Sequence, residues 1–296
     1  MLLLKPVAHE TIWGGARLKE FCESQSNQIG HLYSLYDQKG NPNIILNGTW
    51  KGSTIHDYFV ANKERFHLAQ YDYFPIIVAM VEAKEHLSIQ VHPDDEAAVL
   101  LTDGEKRGKN ESWFFLETPK EGSIYCGCSC GTLAELKGEI LSGNIAKVTN
   151  RLPVQKGDYV YVTGGTLHAM TAGSFVYEIE ENADATYRFY DFDRVDETGN
   201  KRELHISNAF FAIDVEKESK VRHYDGNPIE ERLYSTCHYE KIDCYENTSD
   251  TLEVVTFLSD SSELEGVKLR FGTSIVLEPK ESISFGSAQI MVAQPR

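Results

Sequence analysis

From Leu87 to His92 apolar and polar positions alternate with a period of two. Leu87, Ile89 and Val91 fall on one face of a short strand, and Ser88, Gln90 and His92 on the other. Pro93 ends the strand, and Asp94-Asp95-Glu96 opens a helix over 94–103, since proline is tolerated and acids suit the dipole at a helix start. Gly108–Trp113 leads into Phe114-Phe115-Leu116, a second strand, and Lys156–Val162 is a third, entered by a Gly-Asp turn. Val176–Glu181 alternates apolar and acidic residues in a fourth. Helical spacing is confined to short pieces. These are Ser53–Glu64, a segment opened by the capping box Thr132–Glu135 with Leu133, Leu136, Ile140 and Leu141 on one face, and Ile145–Leu152. Arg202–Val215 reads as a helix or an extended connector. Beyond Glu216, the runs Glu253–Leu258, Val267–Phe271, Thr273–Leu277 and Ser282–Phe285 read as further short strands.

The polar face of the first strand changes this picture. Gln90 and His92 are two residues apart and can reach one metal ion together, with Ser88 beside them; the plainer reading is a solvent-facing strand with one surface histidine. The Lys156–Val162 strand, however, runs into the glycine-rich bend Thr163–Ala169, which presents a second histidine, His168. Short strands whose ends carry Gln, His, Glu and His fit a small β-barrel with a metal in its mouth.

In order, Trp13-Gly14-Gly15, Leu87–Asp95, Gly108–Trp113, Gly157–Ala169, Thr186–Arg194 and, more weakly, Arg202–Ile206 resemble the type I mannose-6-phosphate isomerases, in their short bacterial form. The likeness spans roughly residues 5 to 215. It implies a mainly β fold: a cupin jelly-roll barrel with the metal at its open end, a few outer helices and a second, smaller C-terminal β-barrel half. The expected division is a metal-binding catalytic domain over 1–215 and a β domain over 216–296. The resemblance places zinc ligands at Gln90, His92, Glu111 and His168, one ion per chain, a catalytic arginine at Arg188, and sugar-phosphate contacts at Ser88 and Lys109. The implied reaction interconverts mannose 6-phosphate and fructose 6-phosphate through an enediol. A guanidinium keeps its charge, so Arg188 is assigned to developing negative charge or to the phosphate. The base is a separate group, with Glu180, His31 and a water on the metal as candidates.

The chain departs from that family at four places. Gly30-His31-Leu32-Tyr33 stands for Gly-Glu-x-Trp, Ala79 lies in the strand that usually carries a lysine, Thr163-Gly164-Gly165-Thr166 replaces Pro-Ala-Gly-Thr, and Glu180–Asp184 replaces Gln-Gln-Asn-Ser-Asp. Two other functions therefore stay open: a non-catalytic sugar-phosphate-binding cupin, and an iron-dependent cupin oxygenase using His92, Glu111 and His168.

Composition narrows the partners. With 45 acidic and 29 basic residues, the net charge of -16 argues against nucleic acid. A sugar phosphate then needs local cations, and Lys109, Arg188 and Arg194 are the expected suppliers. Met1–Leu4 is too short for a signal-peptide core and no run is long enough for a membrane span, so a cytoplasmic enzyme is expected, monomer or homodimer. Cys126, Cys128 and Cys130 alternate; in extended chain their sulfurs stand too far apart for one ion, and they read as reduced thiols.

Overall fold

The apolar run Ile76–Val81 is buried throughout, because the sheet that contains it is covered on both faces. The computed structural model describes residues 1–38, 40–102 and 107–296 and is mainly β. A seven-stranded antiparallel sheet runs Val221–His223, Asp158–Val162, Glu111–Glu117, Ser174–Glu181, Ile76–Ala83, Ile29–Leu35 and Val7–Gly15. A five-stranded sheet faces it, in the order Tyr187–Tyr190, Ile89–Val91, His168–Ala169, Ser123–Cys128 and Thr149–Pro153. Between the two lies a core containing Val81, Trp113, Phe115 and Val160. Neighbouring residues Met80, Phe114, Tyr159 and Tyr177 point the other way, into a second core shared with Tyr234, Val254 and Met291. Each such side chain withdrawn from water stabilises the fold by roughly 1.5–3 kcal/mol. The result is the expected cupin-like architecture, with three sheets stacked in layers.

The third sheet has six strands: Leu2–Leu3, Ser274–Leu277, Glu253–Phe257, Ser282–Pro295, Tyr234–Glu246 and Ile229–Glu230. The chain crosses the expected 215/216 boundary in both directions. Leu2–Leu3 joins this C-terminal sheet, while Val221–His223 pairs with Asp158–Val162 in the seven-stranded one.

Helices are short and peripheral. Ile55–Asn62 starts from a full capping box between Thr54 and Asp57, a signal legible in Thr-Ile-His-Asp that the pattern reading passed over. At Thr132 the box is half made: the hydroxyl accepts from the Glu135 amide, but Glu135 accepts from Gly131 instead of Thr132. Along Leu133–Leu141 only Leu136 is buried, and Leu133 and Leu141 face solvent, contrary to the single apolar face expected. The 94–103 helix spans Asp95–Leu101, and Asp103 lies outside the described residues. Ile145–Leu152 is not one helix. Ile145–Val148 is a single turn, and Thr149–Pro153 is an edge strand on Ser123–Cys128. Of Arg202–Val215, Ile206–Ala212 is helical and the part before it has no regular structure. Among the described residues no helix is long and apolar enough to cross a membrane.

Candidate metal centre and substrate pocket

Sheet register brings the predicted residues together. Gln90 lies directly opposite His168 on one neighbouring strand and opposite Arg188 on the other, so all three share a face. From the facing sheet Glu111 points back at them, opposite Glu180 on the adjacent strand. His92, Glu111 and His168 converge at the barrel floor, each about 1–3 % exposed, with ligand atoms within 4.8 Å of one another.

The turn after His92 is held by close backbone packing. A Cβ on Gly108 would sit 2.4 Å from the Asp94 carbonyl carbon, and one on Gly164 would sit 2.5 Å from the Pro93 oxygen. Gly165, at φ +91°, donates its amide to the His92 carbonyl. Asn110 locks the entry to the Glu111 strand by donating to Glu181 and accepting from the Gly164 amide.

Hydrogen bonding defines what the three-residue cluster lacks. His92 Nδ1 faces the Ala185 carbonyl at 2.8 Å, and its Nε2 faces Glu111 Oε2 at 3.0 Å. His168 repeats the arrangement, with Thr166 O at 2.8 Å and Glu111 Oε1 at 3.2 Å. Each ring thus meets an acceptor on both sides, whereas a neutral imidazole carries one N–H. Burial pushes the His92 pKa down, so double protonation is opposed. Glu111 is held well below the usual carboxylate range, with both histidines outweighing its burial. A divalent cation resolves the conflict, because two imidazole nitrogens and a carboxylate are ordinary ligands for one. Gln90 reaches the same place: its amide nitrogen lies 3.4 Å from His168 Nε2, and its oxygen accepts from Ser88 at 2.9 Å. Exchanging the two ends of that amide keeps the Ser88 contact, since a hydroxyl both donates and accepts. The donor set therefore fits a metal.

Above the floor opens a cavity of about 350 Å³, lined by Ser88, Gln90, Lys109, Glu111 and Arg188 among others. Lys109 is buried, not a solvated surface lysine, and pairs with Glu180 at 2.7 Å. Burial opposes its charge, but Glu180, Glu111 and Glu178 together raise its pKa. In return Lys109 offsets the burial of Glu180, whose pKa is lowered. His31 is stacked on Tyr33 at 5.2 Å and met edge-on by Trp13. Burial takes its pKa down to about 4, so it is neutral at physiological pH. His9 also lines this wall.

Glu178 is the functional candidate that the sequence reading missed. Trp113 Nε1 donates to its Oε1 at 2.8 Å, and His31 Nε2 stands 3.7 Å from its Oε2. Burial first, then the charges of Glu180 and Glu111, hold it well above the carboxylate range. The Val-Tyr-Glu-Ile-Glu alternation signals that Glu178 and Glu180 share a face, but not which of them Lys109 neutralises. Arg188 pairs with neither Glu178 nor Asp191 among the described residues, and its buried Nε has no partner. Arg194, expected to serve the pocket, is instead bound to Asp191 and the His86 carbonyl. Cys126, Cys128 and Cys130 are buried free thiols and belong to no metal-binding group among the described residues.

Residues 1–112 match the phosphomannose isomerase type I catalytic-domain family. Mannose-6-phosphate isomerase ManA of Bacillus subtilis is 34% identical over 236 residues, covering 79% of this chain and 75% of that protein. Putative mannose-6-phosphate isomerase YvyI, also from Bacillus subtilis, is 36% identical over 227 residues, 76% of this chain and 70% of that one. Among solved structures, the mannose 6-phosphate isomerase from Bacillus subtilis superposes with a TM-score of 0.85 at 28% identity, covering 99% of both chains. A putative mannosephosphate isomerase from Archaeoglobus fulgidus has the same fold, with a TM-score of 0.79 at 17% identity, covering 100% of this chain and 98% of that one.

Proposed function

The chain belongs to the type I mannose-6-phosphate isomerase family, and from that premise we propose that it interconverts mannose 6-phosphate and fructose 6-phosphate in the cavity above His92, Glu111 and His168, with one zinc ion held by those residues and Gln90. The observation that carries the reading is the double-acceptor environment of both imidazoles, which calls for a cation between them and Glu111. A bound divalent ion supplies Lewis-acid polarisation and a template for two adjacent sugar oxygens.

The chain's own residues account for the remainder of the reaction. Moving a proton between C2 and C1 through an enediol needs one group that takes it from one carbon and returns it to the other. Glu178 suits this task, because burial and its acidic neighbours favour its protonated form and its Oε2 is not tied up by a protein donor. Trp113 fixes the other oxygen and with it the plane of the carboxyl group. Lys109 sits between Glu180 and Glu111 as a permanent positive charge beside the oxygens where negative charge develops. Arg188, two strands from His168 and so about 10 Å away at ordinary strand spacing, faces the far end of a six-carbon chain, where the phosphate is carried. Ser88 lies between the two ends and orients Gln90.

Residues 1–215 with the Val221–His223 strand act as the catalytic unit in this reading, and the rest of the C-terminal sheet as its support. Metal analysis coupled to turnover tests the proposal. One equivalent of zinc that is lost in His168→Ala together with fructose 6-phosphate formation is the expected outcome. Full activity in metal-free protein would contradict it.

A further inference from the structure

The cations of the cavity are unevenly used. Lys109 is committed to Glu180, on the side of the metal centre. The other two charged donors in the lining are Arg188, two strands away from His168, and Arg202. Arg202 arrives there by a specific docking of backbone. His205 donates its amide to the Arg188 carbonyl at 2.9 Å, and its Nδ1 accepts from the Arg188 amide at 3.2 Å, so the start of the Ile206–Ala212 helix is docked on the Tyr187–Tyr190 strand. Asp191 then fixes the Arg202 side chain by accepting from Nε at 2.8 Å and from Nη2 at 2.5 Å. Its Nη1 edge has no protein partner among the described residues.

Charge at this end does not balance within the protein. Asp191 is a single carboxylate facing both Arg194 and Arg202, and Arg188 has no ion-pair partner among the described residues. Glu203 is the other acid near Arg188. In a chain of net charge -16, two arginines lining one cavity, with Asp191 already shared between Arg194 and Arg202, leave positive charge there for a dianion.

We infer that Arg202 is a specificity-determining residue that grips the substrate's phosphate dianion together with Arg188, and that Asp191 is the positioning residue that presents it. This rests on the sugar-phosphate reading given above, and it assigns the second phosphate cation to Arg202 in place of Arg194 or Lys109. Arg194 cannot serve, because its guanidinium is spent on Asp191 and the His86 carbonyl.

Calorimetric titration of inorganic phosphate into the zinc-loaded wild type, Arg202→Gln and Arg202→Lys tests the assignment without depending on turnover. Loss of one charge-assisted contact should weaken phosphate binding in Arg202→Gln by roughly 10- to 100-fold, with the lysine variant in between. The preference for mannose 6-phosphate over mannose, read as a ratio of kcat/KM, should fall by a similar factor. Phosphate affinity within about twofold of wild type in Arg202→Gln would overturn the inference, whether or not the variant melts earlier, because the residue would then serve Asp191 alone. Loss of isomerase activity in wild type with phosphate binding intact and Arg202-dependent would fault the reaction assigned above and leave the anion site standing.

Discussion

His92 and Glu111 meet across 3.0 Å, Nε2 to Oε2, while the Ala185 carbonyl faces the other ring nitrogen at 2.8 Å. Two acceptors on one neutral imidazole destabilise the metal-free protein and favour the metal-loaded one. Zinc should therefore raise the thermal midpoint strongly, by an amount equivalent to about 4 kcal/mol at a thousandfold excess over Kd. Glu111→Gln replaces one acceptor by a donor. The variant should melt later than wild type in chelator and lose most of the zinc-induced rise. Differential scanning fluorimetry of both proteins with and without zinc reads this directly; an earlier midpoint for Glu111→Gln in chelator would count against the acceptor conflict.

Glu178 carries a pH signature that separates it from Glu180. Its folded pKa is raised above the ordinary value of 4.5, so the native state keeps a proton that the unfolded chain releases. Stability contributed by the neutral carboxyl is present below that ordinary value and is lost as pH rises toward the folded pKa. Glu178→Gln mimics the protonated form permanently. Its midpoint should match wild type near about pH 4 and exceed it increasingly toward about pH 8, while kcat falls by roughly 100- to 10,000-fold, as for a lost general base. A midpoint difference that does not change with pH would remove the case for a protonated Glu178.

Backbone packing behind His92 is testable by one carbon atom. In Gly164→Ala the new Cβ would lie 2.5 Å from the Pro93 oxygen, against backbone that cannot swing away. The expected loss is about 1–3 kcal/mol of stability, as for other overpacked sites, together with weaker zinc binding because the His92 carbonyl is part of the same turn. Gly138→Ala, where nothing lies within 4 Å, serves as the control. Equal behaviour of the two variants would show that the turn adapts.

Much of the centre could be read before the fold was known, for a physical reason. Strand alternation puts Gln90 and His92 two residues apart, and the glycine-rich bend marks where the chain turns to present His168, so local rules suffice there. The partners that tune the site are not local. Lys109 meets Glu180 and His31 meets Glu178 through sheet register, across strands that are far apart in sequence. Hydrogen bonds to Asp191 and the His86 carbonyl likewise separate Arg194 from Arg202, which composition alone makes equivalent. Leu133 and Leu141 illustrate the same limit on the outside: helical spacing marks an apolar face, but a short peripheral helix buries only Leu136.

The most direct test of the isomerase assignment is a coupled assay of fructose 6-phosphate formation from mannose 6-phosphate, on zinc-loaded and chelator-stripped protein. Turnover should appear with zinc and vanish on stripping. It should be abolished in His168→Ala and reduced on the order of 100-fold in kcat/KM by Arg188→Ala, for loss of a charge-assisted contact. A protein that holds a full equivalent of zinc and binds the sugar phosphate without converting it would contradict the account and identify the chain as a binding member of its family.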